Sequence, residues 1–230
     1  MRRLGFFIWL ITAITVQAAE DDWRAALAQM PLRTGVTELD TSNYVDVMLQ
    51  AFGSNDTVKA LIFQPGAVDT FFWHRETRVL LTNASPSLLD AVVAMTNQTR
   101  IRASFRPPLL LLHFDWDPLE PACEIWHGEA VDKIRARPFA AHVLYDDKDW
   151  DFTLPVLKKA TGITIAPKLH SRYSYHFYRS SFAAWNLNAW EALETVSLAT
   201  RTVFDVEKRK VTFREDDRYL TAFPQDGSQK

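Results

Sequence analysis

The chain is poor in the residues that usually announce a reactive site. Its single cysteine, Cys123, excludes a disulfide within the chain. Beside Pro121, Ile125 and Trp126, that thiol reads as a small apolar core residue rather than a nucleophile. Only seven glycines occur in 230 residues, so tight backbone loops that cradle a ligand are scarce. A phosphate-binding Gly-rich loop, a His-Glu-x-x-His pair, a paired-cysteine motif and a Gly-x-Ser-x-Gly elbow are all missing. The charge is nearly balanced, with 26 Lys and Arg against 28 Asp and Glu, which gives no pull toward nucleic acid or an anionic membrane. Beyond residue 18, no apolar run approaches the roughly 20 residues of a membrane-spanning helix, and Leu109 to Leu112 is only long enough for a strand.

What is present begins with an export-type leader. Arg2 and Arg3 precede the apolar stretch Leu4 to Val16, and Val16-Gln17-Ala18 places small residues at the −3 and −1 positions of a cleavage site. Cleavage near Ala18 is therefore expected, with the mature chain periplasmic or secreted. It would keep 24 basic residues against 28 acidic ones, a net charge of −4.

The mature part is 47% hydrophobic by whole-chain composition and rich in aromatics, which rules out bulk disorder. Its length fits two domains near 100 residues better than one. We expect an α+β chain of two tandem small modules, each laying helices on one face of a small mixed sheet. The divisions are 1–18 leader, 19–115 first module, 116–129 linker, 130–222 second module and 223–230 tail. The linker rests on Pro118 and Pro121 and on a lack of periodicity.

Each half carries helix, strand, strand, helix, strand, strand. In the first, helices are expected over residues 20–30, from Ser42 to Phe52, and from a Ser85 cap through Pro86, Leu88, Leu89, Val92 and Met95. Strands are expected at Val58 to Phe63, Phe71 to Trp73, Arg78 to Leu81, Arg100 to Phe105 and Leu109 to Phe114. In the second, strands are expected at Ala130 to Arg135, Phe139 to Tyr145, Ile163 to Ala166 and Arg172 to Phe182. Helices are expected at Thr153 to Ala160 and after Asn188, and a hairpin at Thr202 to Val206 with Lys210 to Phe213. The clearest internal match sets Asn83-Ala84-Ser85-Pro86-Ser87-Leu88-Leu89 against Asn186-Leu187-Asn188-Ala189-Trp190, about a hundred residues apart.

The second half resembles the short periplasmic module found at the N-terminus of secretins and TonB-dependent receptors. Ala160-Thr161-Gly162-Ile163-Thr164-Ile165, then Asn186 to Leu193, then the Thr202 to Phe213 hairpin carry the likeness. The first half matches more weakly, with Gly53-Ser54-Asn55 where Thr-Gly is expected, and no secretin or receptor barrel follows. The resemblance implies a binding role: an accessory to an envelope or secretion assembly, with envelope proteins as partners. It implies neither a cofactor nor pore formation. Self-association is compatible with it.

Three sets of residues compete for function. The alternating strand Arg172 to Tyr178 would offer Arg172, His176 and Tyr178 as a docking edge if one face is open; with both faces covered it would be core. His113, Asp115 and His127, with Asp117, Glu120 and Glu129 nearby, have the chemistry of a zinc or manganese site, which would make the chain a small metal-dependent hydrolase. The plainer reading is a polar strand end and a solvated linker. Trp73, Trp116 and Trp126, if exposed, would suit a cell-wall carbohydrate. Asp146 to Asp151 lacks the Gly and distal Glu of a calcium loop and is expected to be a solvated turn. A binding protein rather than an enzyme is the reading carried forward.

Overall fold

The computed structural model describes residues 22–68, 78–114, 180–207 and 210–218, the stretches 123–125, 138–139, 143–148 and 162–168, and isolated positions between them. Its architecture is α+β with mixed sheets.

Helix α1 covers residues 22–28 and buries Trp23, Ala26 and Leu27, with Met30 just beyond it, before Pro31. Strand β1 (Glu38–Leu39) leads to α2 (Tyr44–Ala51). The N-cap of α2 is Asn43 without a side-chain capping bond, not Ser42. Ser42 donates its amide and its hydroxyl to the Asp40 carboxylate instead, at 2.8 and 2.6 Å. Next come β2 (Ala60–Phe63) and a single turn of helix, α3 (Pro65–Val68). β3 (Val79–Leu80), α4 (Leu88–Gln98), β4 (Arg102–Arg106) and β5 (Leu109–His113) complete the first half. α4 starts two residues later than the Ser85-Pro86 signal implies. Ser87 accepts from the Asp90 amide at 3.2 Å while Asp90 accepts from the Ser87 amide at 2.7 Å, so this reciprocal pair outcompetes the earlier serine.

In the second half lie β6 (Cys123–Ile125), β7 (Pro138–Phe139), β8 (Val143–Lys148), β9 (Thr164–Lys168), β10 (Ser180–Ala184) and β11 (Leu187–Asn188). α5 (Ala189–Thr200), β12 (Thr202–Glu207) and β13 (Lys210–Glu215) follow. Three expectations need correction. Part of the supposed linker is strand, because β6 pairs in parallel with β12 some 80 residues later, a partner that leaves no local signal. Positions 132 and 134 are helical, not strand. Asp146, Asp147 and Lys148 belong to β8 rather than forming a turn; Lys148 stands opposite Ser180, and the register shifts between that pair and Tyr145 opposite Phe182.

The larger correction concerns the modules. The expected halves do not each close a separate sheet. One five-stranded sheet runs β4-β5-β2-β10-β8, so three strands of the first half join two of the second. The seam is antiparallel, from Phe63 opposite Ser181 to Ala60 opposite Ala184. β2 and β5 are parallel; β4 and β5 form a hairpin. A second sheet runs β6-β12-β13-β9.

Period-two alternation explains how one sheet holds both halves. Leu61, Phe63, Leu110, Leu112 and Ala183 face a cluster with Leu27, Met48, Leu49, Leu88 and Met95. Ala60, Ile62, Leu109, Leu111, Phe182 and Ala184 face the opposite cluster, with Trp190, Leu193, Phe204 and Phe213. The unbroken apolar runs Ala-Leu-Ile-Phe and Leu-Leu-Leu-Leu are what a strand covered on both faces requires. Tyr44 meets Phe63 edge-on at 5.7 Å on one side, and Trp190 meets Phe204 at 5.3 Å on the other.

Both halves nonetheless use the same connections. The first runs β1-α2-β2-β3-α4-β4-β5, with the single turn α3 between β2 and β3, and pairs β1 with β3, β2 in parallel with β5, and β4 with β5. The second runs β8, helical positions at 155, 157 and 158, then β9-β10-α5-β12-β13, with the short β11 just ahead of α5. It pairs β8 with β10, β9 in parallel with β13, and β12 with β13.

Candidate functional site

The docking residues Arg172, His176 and Tyr178 and the tryptophans Trp73, Trp116 and Trp126 lie outside the described residues, as do Asp115 and His127. The structure therefore does not bring them together or separate them.

Of the three metal candidates only His113 is described. It sits at the end of β5, 5% exposed. Its Nδ1 lies 2.8 Å from the Phe114 carbonyl, which can only accept, so Nδ1 carries the proton. Its Nε2 lies 2.9 Å from the Ser104 hydroxyl on β4 and accepts from it. Both ring nitrogens are thus occupied by protein groups, and the imidazole tethers the open end of the β4-β5 hairpin. Among the described residues no three His, Cys, Asp or Glu side chains gather as a metal site would need.

One open groove of about 410 Å³ is found at the meeting of the two halves. Asp22 from α1, Asp56 and Lys59 ahead of β2, and Glu191 from α5 supply its charge. Phe105, Pro107 and Pro108, from the β4-β5 hairpin, supply an apolar wall. Asp56, Glu191, Lys59 and Phe105 are each held by neighbouring groups. Asn55 accepts from the amides of Thr57 and Val58 at 2.7 and 3.0 Å, which turns the chain and leaves Asp56 exposed. Glu191 is held by capping: its carboxylate accepts from the Asn188 amide at 2.7 Å, and Asn188 accepts from the Glu191 amide at 2.9 Å. Lys59 lies 3.9 Å from that carboxylate, and its main chain is fixed between the Pro108 carbonyl at 2.8 Å and the Trp185 amide at 2.7 Å. Phe105 is backed by Trp23, 6.2 Å between ring centroids.

The groove therefore carries three carboxylates to one ammonium above a ring and two prolines. That combination favours a basic, partly apolar segment. It offers no hydroxyl–imidazole pair for covalent chemistry. Sequence reasoning missed it because its members come from four separated stretches; only Asn188, the cap that orients Glu191, carried a local signal.

Comparisons with protein-family models, with curated proteins and with solved structures find no match for this chain.

No described helix is long and apolar enough to cross a membrane.

Proposed function

We infer that the chain is an exported, periplasmic protein-interaction scaffold built from two units like the short module of secretins and TonB-dependent receptors, and that it works by docking rather than by catalysis. The observation that carries this reading is the repeated order of elements with the same strand pairings in both halves. The leader at residues 1–18 supports export. The acidic groove supports a partner that presents a basic, extended segment of an envelope protein.

A photo-crosslinking residue placed at Asp56 in exporting cells tests the reading, with exposed Val93 on α4 as the control position. The expected result is one discrete crosslinked envelope protein from position 56, lost when Asp22 and Glu191 become Asn and Gln, and absent from position 93. The same crosslinks from both positions, or none from position 56 in exporting cells, would overturn it.

A further inference from the structure

The seam between the halves is a join that could be repeated. In it, the outer side of β2 takes the outer side of β10. The Gln64 amide donates to the Leu112 carbonyl at 2.9 Å, which turns the main-chain groups of Ile62 and Gln64 toward β5 and those of Leu61 and Phe63 toward β10. The Trp185 amide bonds the Lys59 carbonyl at 2.7 Å on that same side.

By connection, the second half's counterpart of β2 is β9, and the first half's counterpart of β10 is β3. These two strands end their sheets among the described residues. A second copy of the chain brought head to tail would meet β9 of one molecule with β3 of the next. Nothing in such a heterologous join closes on itself, so it would propagate.

Both ends are plugged, by different means. On β9, the Asp216 amide bonds the Arg201 carbonyl at 3.1 Å, which turns alternate residues of β13 toward β12 and leaves Val211 and Phe213 bonding to β9. With Val211 opposite Ile165 and Phe213 opposite Pro167, the main chains of Ile165 and Pro167 face outward. Pro167 thus stands in the place of Phe63 and removes the N–H that a joining strand would need. On β3, the Leu81 amide bonds inward to the Thr37 carbonyl at 2.9 Å, so Leu80 faces outward. The side-chain amide of Gln98 covers it from both directions: Leu80 donates to Oε1 at 3.0 Å, and Nε2 donates to the Leu80 carbonyl at 2.9 Å. Counted from the capping residues Ser87 and Asn188, the counterpart of Gln98 on α5 is Ala199, which is 1% exposed. Where the chain leaves the edge free for β2, the plugging amide is absent.

We propose that Gln98 and Pro167 are edge caps that stop this chain at two units, by blocking the head-to-tail addition of a second copy through β9 and β3. This goes beyond the docking function and rests on strand pairing alone. It stands or falls independently of any envelope partner.

Four samples decide it, followed by light scattering on a sizing column from micromolar to several hundred micromolar protein. Gln98→Ala opens β3 only and Pro167→Val opens β9 only, so each alone stays a monomer. An equimolar mixture of the two forms a one-to-one dimer and goes no further. The double variant forms species that lengthen with concentration. Gln98 is exposed, so its replacement leaves the fold intact; Gln98→Met, which keeps the length of the side chain without the amide, gives the same pattern. Monomeric mixtures and monomeric double variants with unchanged circular dichroism would overturn the proposal. So would equal self-association by either single variant.

Discussion

The two halves share their connections and differ at their edges. In the first, β1 and β3 are two residues long each; in the second, β8 and β10 are six and five residues long and pair at four positions. The first half's parallel strand, β2, is apolar at every position and is buried under a neighbour from the second half. The second half's, β9, carries Thr164, Pro167 and Lys168 and ends its sheet among the described residues. Their second helices start with the same reciprocal cap, Ser87 with Asp90 and Asn188 with Glu191. They end differently, since Thr99 is extended while Arg201 takes the left-handed conformation. Local capping and pairing order can thus be common to both halves while edge chemistry decides which strands fuse.

The comparison breaks most visibly at the seam. Phe182 belongs to the second half but is 3% exposed against strands of the first. Phe182→Ala should cost about 3–5 kcal/mol and lower one common unfolding transition. Differential scanning calorimetry checks it, and a loss confined to one of two transitions would separate the halves again. The caps come next. Ser87→Ala and Asn188→Ala should each cost about 1 kcal/mol in urea unfolding, in keeping with their matched geometry.

A smaller difference lies in pH. The Ser87 amide, then its hydroxyl, hold the Asp90 carboxyl below its ordinary value of 3.8, helped by Asn83. A carboxyl lowered in the folded state stabilises it above the unfolded value, and that contribution is lost as pH falls through the lower folded one. Unfolding midpoints of the wild type and Asp90→Asn should therefore converge as pH drops below about 3.8. The smallest effect belongs to Lys59→Ala. Its pair with Glu191 is 3.9 Å long and partly open to water, so about 0.5 kcal/mol is expected, vanishing in high salt.

The elements that were legible in sequence share a cause. The caps at Asn188 and the hairpins at residues 102–113 and 202–215 are encoded within a few residues of one another. The repeated Leu at 109–112 already signals a strand covered twice, but it does not say by what. The fusion of β2 with β10 joins residues about 120 positions apart and depends on which edge is left open, so the sequence read as two small sheets. The surroundings of His113 were hidden for a related reason: Ser104, which bonds its Nε2, lies across the hairpin and is an ordinary strand residue in isolation. The groove likewise draws its acids from α1, the loop before β2 and α5.

Amide hydrogen exchange on the full chain, read residue by residue, goes straight to the shared sheet. The N–H groups of Leu61 and Phe63 point across the seam to β10, while that of Ile62 points to β5. All three should exchange at the same slow rate, set by global unfolding. Fast exchange at Leu61 and Phe63 beside a protected Ile62 would mean that the halves do not share a sheet.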